Sequence, residues 1–174
     1  MSSTQTPPQT HLHGSEAIEK LKELSEKAQI CMFCTELDQL PIKSRPMYLQ
    51  ETDTDGNMWF ISGEDSHKNA EVRQDERVQL FFMNNDKSEY LSVFGSATIH
   101  TDRATIDDKW SVFANAWFNG KEDPNVSIIR VAPTDAYYWD TKAGKLVSML
   151  HFISAIVTGG NSDNKDGVEG ELRL

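Results

Sequence analysis

The stretch Ile42–Lys68, IKSRPMYLQETDTDGNMWFISGEDSHK, reads as strand, turn, strand and helix start in immediate succession. Ile42 to Gln50 and Met58 to Ser62 carry the aromatic and aliphatic residues that suit a pleated strand, and Asp55-Gly56-Asn57 between them has the turn chemistry of an antiparallel hairpin. Period-2 alternation puts Lys43, Arg45, Met47 and Leu49 on one face, so a guanidinium projects beside apolar neighbours. Pro46 has no amide hydrogen, which confines its strand to an edge or a bulge and leaves nearby main-chain groups free to meet a ligand. After the second strand, Gly63 turns the chain and Ser66-His67-Lys68 opens a helix. Ser66 is there either a helix cap or, with the free helix amides and the Lys68 ammonium, part of a compact seat for a phosphate. Arg45 is either a solvated cation lying over the core or a third member of that seat, if the hairpin brings the two strands side by side.

Outward from this hairpin, the same alternation predicts strands over Ile30 to Leu37, Val78 to Asn84, Tyr90 to His100, Val126 to Ala132 and Ala136 to Asp140. The longest is the clearest: Leu91, Val93, Ala97 and Ile99 share one face with Gly95, while Ser92, Phe94, Ser96 and Thr98 take the other. Helical spacing of Ala17, Ile18, Leu21, Leu24 and Ala28 predicts a helix from Ser15 to about Gln29, and further helices are expected at 67–75, about 106–117 and 145–157. In the third, Thr105 with Asp108 resembles a capping box, and Ile106, Trp110, Phe113, Ala114 and Trp117 form a stripe expected to be mostly core. Phe118, at the end of that helix before Asn119-Gly120-Lys121, is either a structural residue or a mobile pocket wall. The fold class is therefore α+β, mainly β: six or seven short strands in an antiparallel sheet with peripheral helices, where closure into a barrel would remove the exposed edges. Residues 1–13 read as a flexible arm, 14–157 as the domain, and 158–174 as a polar tail that is either disordered or laid against a partner subunit.

Composition excludes several function classes. The chain has 174 residues, with 17 Lys plus Arg against 27 Asp plus Glu, a formal net charge of −10 and a pI near 4.9, which opposes a phosphate-backbone partner. No apolar run approaches the roughly 20 residues of a membrane span, and MSSTQTPPQT lacks the pattern of a secretory signal, so the expected compartment is the cytoplasm. Cys31 and Cys34 lie in QICMFCTEL, a continuous apolar run expected to be a buried strand; three apart on a strand they face opposite ways, so they are expected to be structural thiols. No second ligand pair completes a zinc site, and no metal is expected. The five histidines (11, 13, 67, 100 and 151) form no dyad with a nucleophile, and neither a G-x-S-x-G elbow nor a Walker loop occurs.

The order of Arg45-Pro46-Met47, the Asp55-Gly56 hairpin, Trp59-Phe60-Ile61, Ser66-x-Lys68, Val78-x-Leu80-Phe81-Phe82 and Val93-Phe94-Gly95 resembles the pyridoxamine-phosphate-oxidase-like split-barrel flavoproteins, and within them the general stress protein 26 group. The resemblance runs from about residue 15 to about residue 157. It implies that the barrel is a split β-barrel and the protein a homodimer holding FMN, with FAD as the alternative, in a groove between subunits. Carried over, it gives Arg45 a phosphate contact and turns the main chain at Pro46 and Met47 toward the isoalloxazine ring. Ile61 and Ser62 occupy a flavin-contacting strand end, and Ser66 and Lys68 match a phosphate-binding pair. His67 stands where relatives often carry Arg, and Tyr90 where authentic oxidases carry a flavin-contacting Gln. Arg130 and Trp139 also match in register, but Thr141-Lys142-Ala143-Gly144-Lys145 replaces the Arg-x-His-Asp-Arg-like segment of the authentic oxidases, so oxidation of pyridoxamine phosphate is not expected. The implied activity is an FMN-dependent oxidoreductase acting on a small molecule; the alternatives are a flavin-binding stress or sensor protein without turnover, and an interaction domain that has lost the flavin.

Overall fold

Asp53 sets the turn around which the sheet is organised. Its Oδ1 accepts the main-chain N–H groups of Asp55 (3.0 Å) and Asn57 (2.9 Å), and its Oδ2 accepts the indole N–H of Trp59 at 2.9 Å. Gly56 takes φ +84°, where a Cβ would be strained. In the computed structural model, which describes residues 10–141 and 167–174, this turn joins two strands of an eight-stranded sheet. The described elements, in chain order, are β1 (Leu12–His13), α1 (Gly14–Ala28), β2 (Ile30–Thr35), β3 (Lys43–Thr52), β4 (Met58–Gly63), α2 (His67–Gln74), β5 (Arg77–Asn84), β6 (Glu89–His100), α3 (Arg103–Lys109), a 3₁₀ turn (Val112–Ala116), β7 (Val126–Thr141) and β8 (Gly167–Arg173).

Strand order is β1-β8-β7-β4-β3-β2-β5-β6, and β6 also pairs with β7, so six antiparallel strands close into a barrel. The length of β7 makes the closure work. One edge pairs with β6 from Ile128 to Trp139, while the other pairs with β4 over Val126 to Val131 and with β8 over Ala136 to Thr141. Alternate residues point inward to a core that includes Phe33, Phe60, Leu80, Phe82, Val93, Ile129 and Val131, each 0–1% exposed, with Phe33 and Phe60 edge to face at 5.6 Å. Burying each such side chain contributes about 1.5–3 kcal/mol. Helix α1 adds Ala17, Leu21 and Leu24 to this core, and its buried Ser25 shares a 2.8 Å hydrogen bond with Thr52 of β3. A second, smaller core lies between the outer face of β4 and β7 and the chain from α3 onward: Ile106, Val126 and Ile128, flanked by Trp59, Ile61, Trp110 and Phe118.

The mainly β architecture and the six-stranded barrel agree with the sequence reading, as do α1, α2, both hairpins and the inward face of β6. Cys31 and Cys34 are buried and free, and burial pushes both thiols up. Elsewhere the structure differs. Residues 126–132 and 136–140, expected as two strands, run as one, because the break at Pro133 is absorbed as an irregularity opposite Gly95, where a Cβ would collide with the Ala132 carbonyl. The helix expected over 106–117 is two pieces. Asp102, not Thr105, caps α3, accepting from the Thr105 N–H at 2.9 Å, and extended backbone at Trp110 ends it. Phe113 (70% exposed) and Trp117 (75% exposed) are consequently not core. Within the expected arm and tail, Leu12–His13 and Gly167–Arg173 are paired strands, because Leu172 has an apolar site to fill and is 2% exposed. The helix expected at 145–157, like residues 1–9 of the arm and 158–166 of the tail, lies outside the described residues.

Candidate functional site

The ladder between β3 and β4 runs from Thr52 opposite Met58 to Leu49 opposite Phe60, with an irregularity at Gln50, and there it ends. Beyond that point β3 stays with β2 as far as Lys43 opposite Thr35, and β4 stays with β7 as far as Gly63 opposite Val126. The two strands therefore part. The Leu49 N–H donates to the Gln29 carbonyl, so by alternation the main chain of Met47 and Arg45 also serves β2, and that of Pro46 faces the parting. Proline is tolerated because no neighbouring strand requires its missing N–H there.

The parting opens a cavity of about 570 Å³, a size suited to a small organic ligand. Pro46, Met47 and Tyr48 form one lip, Ile61, Ser62 and Gly63 the other, and Phe113, Ala114, Trp117 and Phe118 an outer, largely aromatic wall. Tyr48 and Phe113 meet at 6.5 Å between ring centres, and with Gln50 they also border a smaller hollow of about 280 Å³ beside Glu51, Asp108 and Lys109. Lys68, in the first turn of α2, supplies the one ammonium or guanidinium among the described lining residues. Among the described residues it has no hydrogen-bond or ion-pair partner. Burial, and then the charge of Arg45, pushes its ammonium below the ordinary lysine value, against the smaller opposing pull of Asp65 and Glu71.

A buried polar network fixes α2 against the sheet. The Ser62 hydroxyl donates to Asn69 Oδ1 at 2.7 Å, Asn69 Nδ2 donates to Ser127 Oγ at 2.8 Å, and the Ser127 hydroxyl donates to the Ser62 carbonyl at 3.0 Å. Ser66 caps α2, its hydroxyl 3.4 Å from the Asn69 nitrogen and 3.4 Å from Ser62 Oγ. Since Asn69 adjoins Lys68, this network fixes the helical turn from which the Lys68 side chain extends.

Arg45 is partly buried and stands outside the lining. Its Nη2 donates to Glu71 Oε2 at 2.6 Å, and its Nη1 donates to Thr35 Oγ1 at 2.7 Å and to the Phe33 carbonyl at 3.4 Å. The Thr35 hydroxyl in turn donates to Glu71 Oε2 at 2.6 Å, and Lys43 Nζ lies 3.3 Å from Glu71 Oε1. Burial works against the Glu71 carboxylate, but the Thr35 hydrogen bond and the Arg45 charge outweigh it and hold its pKa below the usual range.

Of the residues singled out in the sequence, Pro46, Met47, Ile61, Ser62, Lys68 and Phe118 come together in the cavity lining. Arg45, Ser66 and His67 stand outside it, Ser66 as the helix cap and His67 exposed. Tyr90 is on the outer face of β6, paired with Met83 and Trp139 and 38% exposed. Gln50, Phe113, Trp117, Asn69 and Glu71 were not foreseen. The run Trp117-Phe118-Asn119-Gly120 carried a hint of an exposed aromatic end; Asn69 and Glu71 carried none. Among the described residues no group of three or more His, Cys, Asp and Glu side chains is placed to hold a metal ion, and no helix is long and apolar enough to cross a membrane.

The family of pyridoxamine 5'-phosphate oxidase like proteins matches residues 16–163. Protein bli-3 of Neurospora crassa is 29% identical over 126 residues, 67% of this chain and 60% of that protein, so the match spans less than two thirds of its length. The solved structure of the general stress FMN/FAD binding protein of Xanthomonas citri superposes with a TM-score of 0.64 at 26% identity, covering 75% of this chain and 93% of that one. A general stress protein 26 from Jannaschia sp. shares the fold with a TM-score of 0.71 at 22% identity, over 92% of this chain and 100% of that one.

Proposed function

This chain belongs to the family of pyridoxamine 5'-phosphate oxidase like proteins, and from that premise we propose that it binds FMN and serves as an FMN-dependent oxidoreductase on a small molecule. The observation that carries the reading is the cavity between the parted strands: apolar lips, an aromatic wall and one ammonium without a partner among the described residues. A planar ring with a phosphate tail has matching chemistry, and the Xanthomonas citri protein, at 26% identity, is described as binding FMN or FAD. Bound FMN would supply the electron chemistry of its ring. Lys68 and the capped start of α2 would hold the phosphate, the chain at Pro46, Met47, Ile61 and Ser62 would face the ring, and Trp117 and Phe118 would keep water from it.

A second copy of the chain would complete the site. The outer face of the barrel carries Tyr48 (39% exposed) beside Ile30 (55%), Met83 (52%) beside Tyr90 (38%), and Tyr90 beside Trp139 (41%) as register partners. Pro46, Met32 and Phe81 form a neighbouring row. An apolar band this wide, continuous with the cavity lip at Pro46 and Tyr48, is the kind of surface that a homodimer buries. Tyr90 would then act at this interface.

A reading without turnover, as a flavin-binding stress or sensor protein, is favoured by one observation: among the described residues the cavity lining contains no carboxylate, imidazole or thiol to move a proton. Flavin spectra and steady-state assays of the holoprotein with NADH or NADPH and a panel of acceptors separate the two. Reduction of bound flavin faster than that of free FMN supports the enzyme; reduction no faster supports the binding protein. A chain that stays colourless and does not quench FMN fluorescence sinks both.

A further inference from the structure

We propose that the small molecule admitted to this site is an uncharged planar quinone, held by Gln50 where the main cavity meets the smaller hollow beside it. The inference rests on the proposed FMN site and names the class of its substrate. Tyr48, Gln50 and Phe113 line both spaces, so the two communicate beside the Tyr48–Phe113 ring pair. Tyr48 and Gln50 share one face of β3 where the β3–β4 ladder ends, whereas Lys68 follows Ser62 and Gly63 at the open end of the parting. A flavin anchored by its phosphate at Lys68 leaves the Gln50 end to a second molecule. Gln50 is half-buried, and its carboxamide has no hydrogen-bond partner among the described residues. It therefore has an N–H to donate to a carbonyl oxygen, while the Tyr48 and Phe113 rings offer a surface for a flat one.

The chemistry of the lining points the same way. Among the described residues the main cavity holds no carboxylate, imidazole or thiol, so a substrate that must lose a proton from carbon finds no base there. A quinone needs none: its reduction to the hydroquinone takes two electrons and one proton from a reduced nicotinamide by way of the flavin, and the second proton from water. Charge in the smaller hollow then selects against an anion. Its charged lining residues, among those described, are Glu51, Asp108 and Lys109. Lys109, whose side chain is 14% exposed, lies over the Trp59 ring at 4.6 Å and pairs with Glu51 and, at 2.9 Å, with Asp108. One ammonium against two more exposed carboxylates leaves a negative charge in excess beside Gln50.

The probes are menadione, an uncharged naphthoquinone, and lawsone, which carries an ionised hydroxyl in place of the methyl group. Each is titrated calorimetrically into the oxidised, FMN-loaded protein. Menadione is expected to bind about three- to tenfold more tightly than lawsone, the effect of one unit charge some ångströms away in a partly solvated site. Glu51→Gln, at a side chain 43% exposed, is expected to close most of that gap by strengthening lawsone, with menadione kept within about twofold. Gln50→Leu is expected to weaken menadione about two- to tenfold, the worth of one neutral hydrogen bond, and to leave FMN affinity within about twofold. Tighter binding of lawsone than of menadione, or a gap that Glu51→Gln leaves as it was, overturns the proposal. So does Gln50→Leu that keeps menadione, or that loses FMN in step with it, because Gln50 would then serve the flavin. If Gln50→Leu does not fold, the Glu51→Gln comparison decides. An FMN-loaded chain that binds neither quinone overturns this inference alone, whereas a chain that binds no FMN overturns the site and the inference with it.

Discussion

A lysine taken out of water holds its proton less firmly, and an anion beside it restores the grip. Lys68 starts from a lowered pKa through burial and the Arg45 charge, with Asp65 and Glu71 opposing. Binding of a phosphate at Lys68 is therefore expected to take up a proton when the pH lies above that lowered value and below the raised one of the complex. FMN affinity should fall as pH rises toward the ordinary lysine value of about 10.4 in titrations run in parallel with riboflavin, whose affinity should change only as far as the shared ring dictates. A parallel decline for the two flavins would remove Lys68 from the phosphate. Replacement by Met tests the same group without pH: a charge-assisted contact is worth about 1.5–3 kcal/mol, so FMN is expected to lose roughly 10- to 150-fold while riboflavin is nearly unaffected. The location of Lys68 was legible in the sequence because Ser66, the helix start and the lysine are local to one turn. The fate of Arg45 was not: its partner Glu71 is 26 residues away, and only the pairing of β3 with β2 and the packing of α2 bring them together.

Elements act here through their anchors. Helix α2 has few apolar contacts of its own, Val72 being its one buried hydrophobic residue, and is pinned at the N-terminal end by Asn69 between Ser62 and Ser127. Asn69→Ala leaves two buried hydroxyls short of a partner, and the expected cost in urea unfolding is about 1–3 kcal/mol, with FMN affinity falling as Lys68 loses its fixed position. Unchanged stability would mean that the network is dispensable. Gly95 is the equivalent point for the sheet, since a Cβ there meets the Ala132 backbone at the bulge that lets β7 run unbroken. Gly95→Ala is expected to lower the unfolding midpoint by an amount equivalent to about 1–3 kcal/mol, typical of overpacking against backbone. Strand positions were legible from their period, whereas the helix boundary at Trp110 was not. Ile106, Trp110, Phe113, Ala114 and Trp117 fit a continuous helical stripe, and what interrupts it is the fit of Ile106, Trp110 and Phe118 against β4 and β7.

At the scale of the molecule, the barrel leaves one outer face rich in exposed Tyr, Phe, Met, Ile and Trp side chains. Sedimentation is expected to show a species of twice 19.7 kDa, and Phe81→Glu, which places a charge in that face away from the cavity, is expected to halve it while the far-UV spectrum is kept. A parent chain that sediments as a single copy would contradict the dimer. The sequence by itself determined the positions of β2 to β6, the Asp53–Asn57 hairpin, the mainly β class and the buried thiols, because strand period and turn chemistry are properties of neighbours along the chain. Only the tertiary structure decided that β3 and β4 part after Leu49 and Phe60, that Glu71 rather than solvent meets Arg45, and that Trp117 stands exposed at the cavity mouth. Those outcomes depend on which distant segments share a surface, and that is settled by closing the barrel and filling its two cores, which no local pattern encodes.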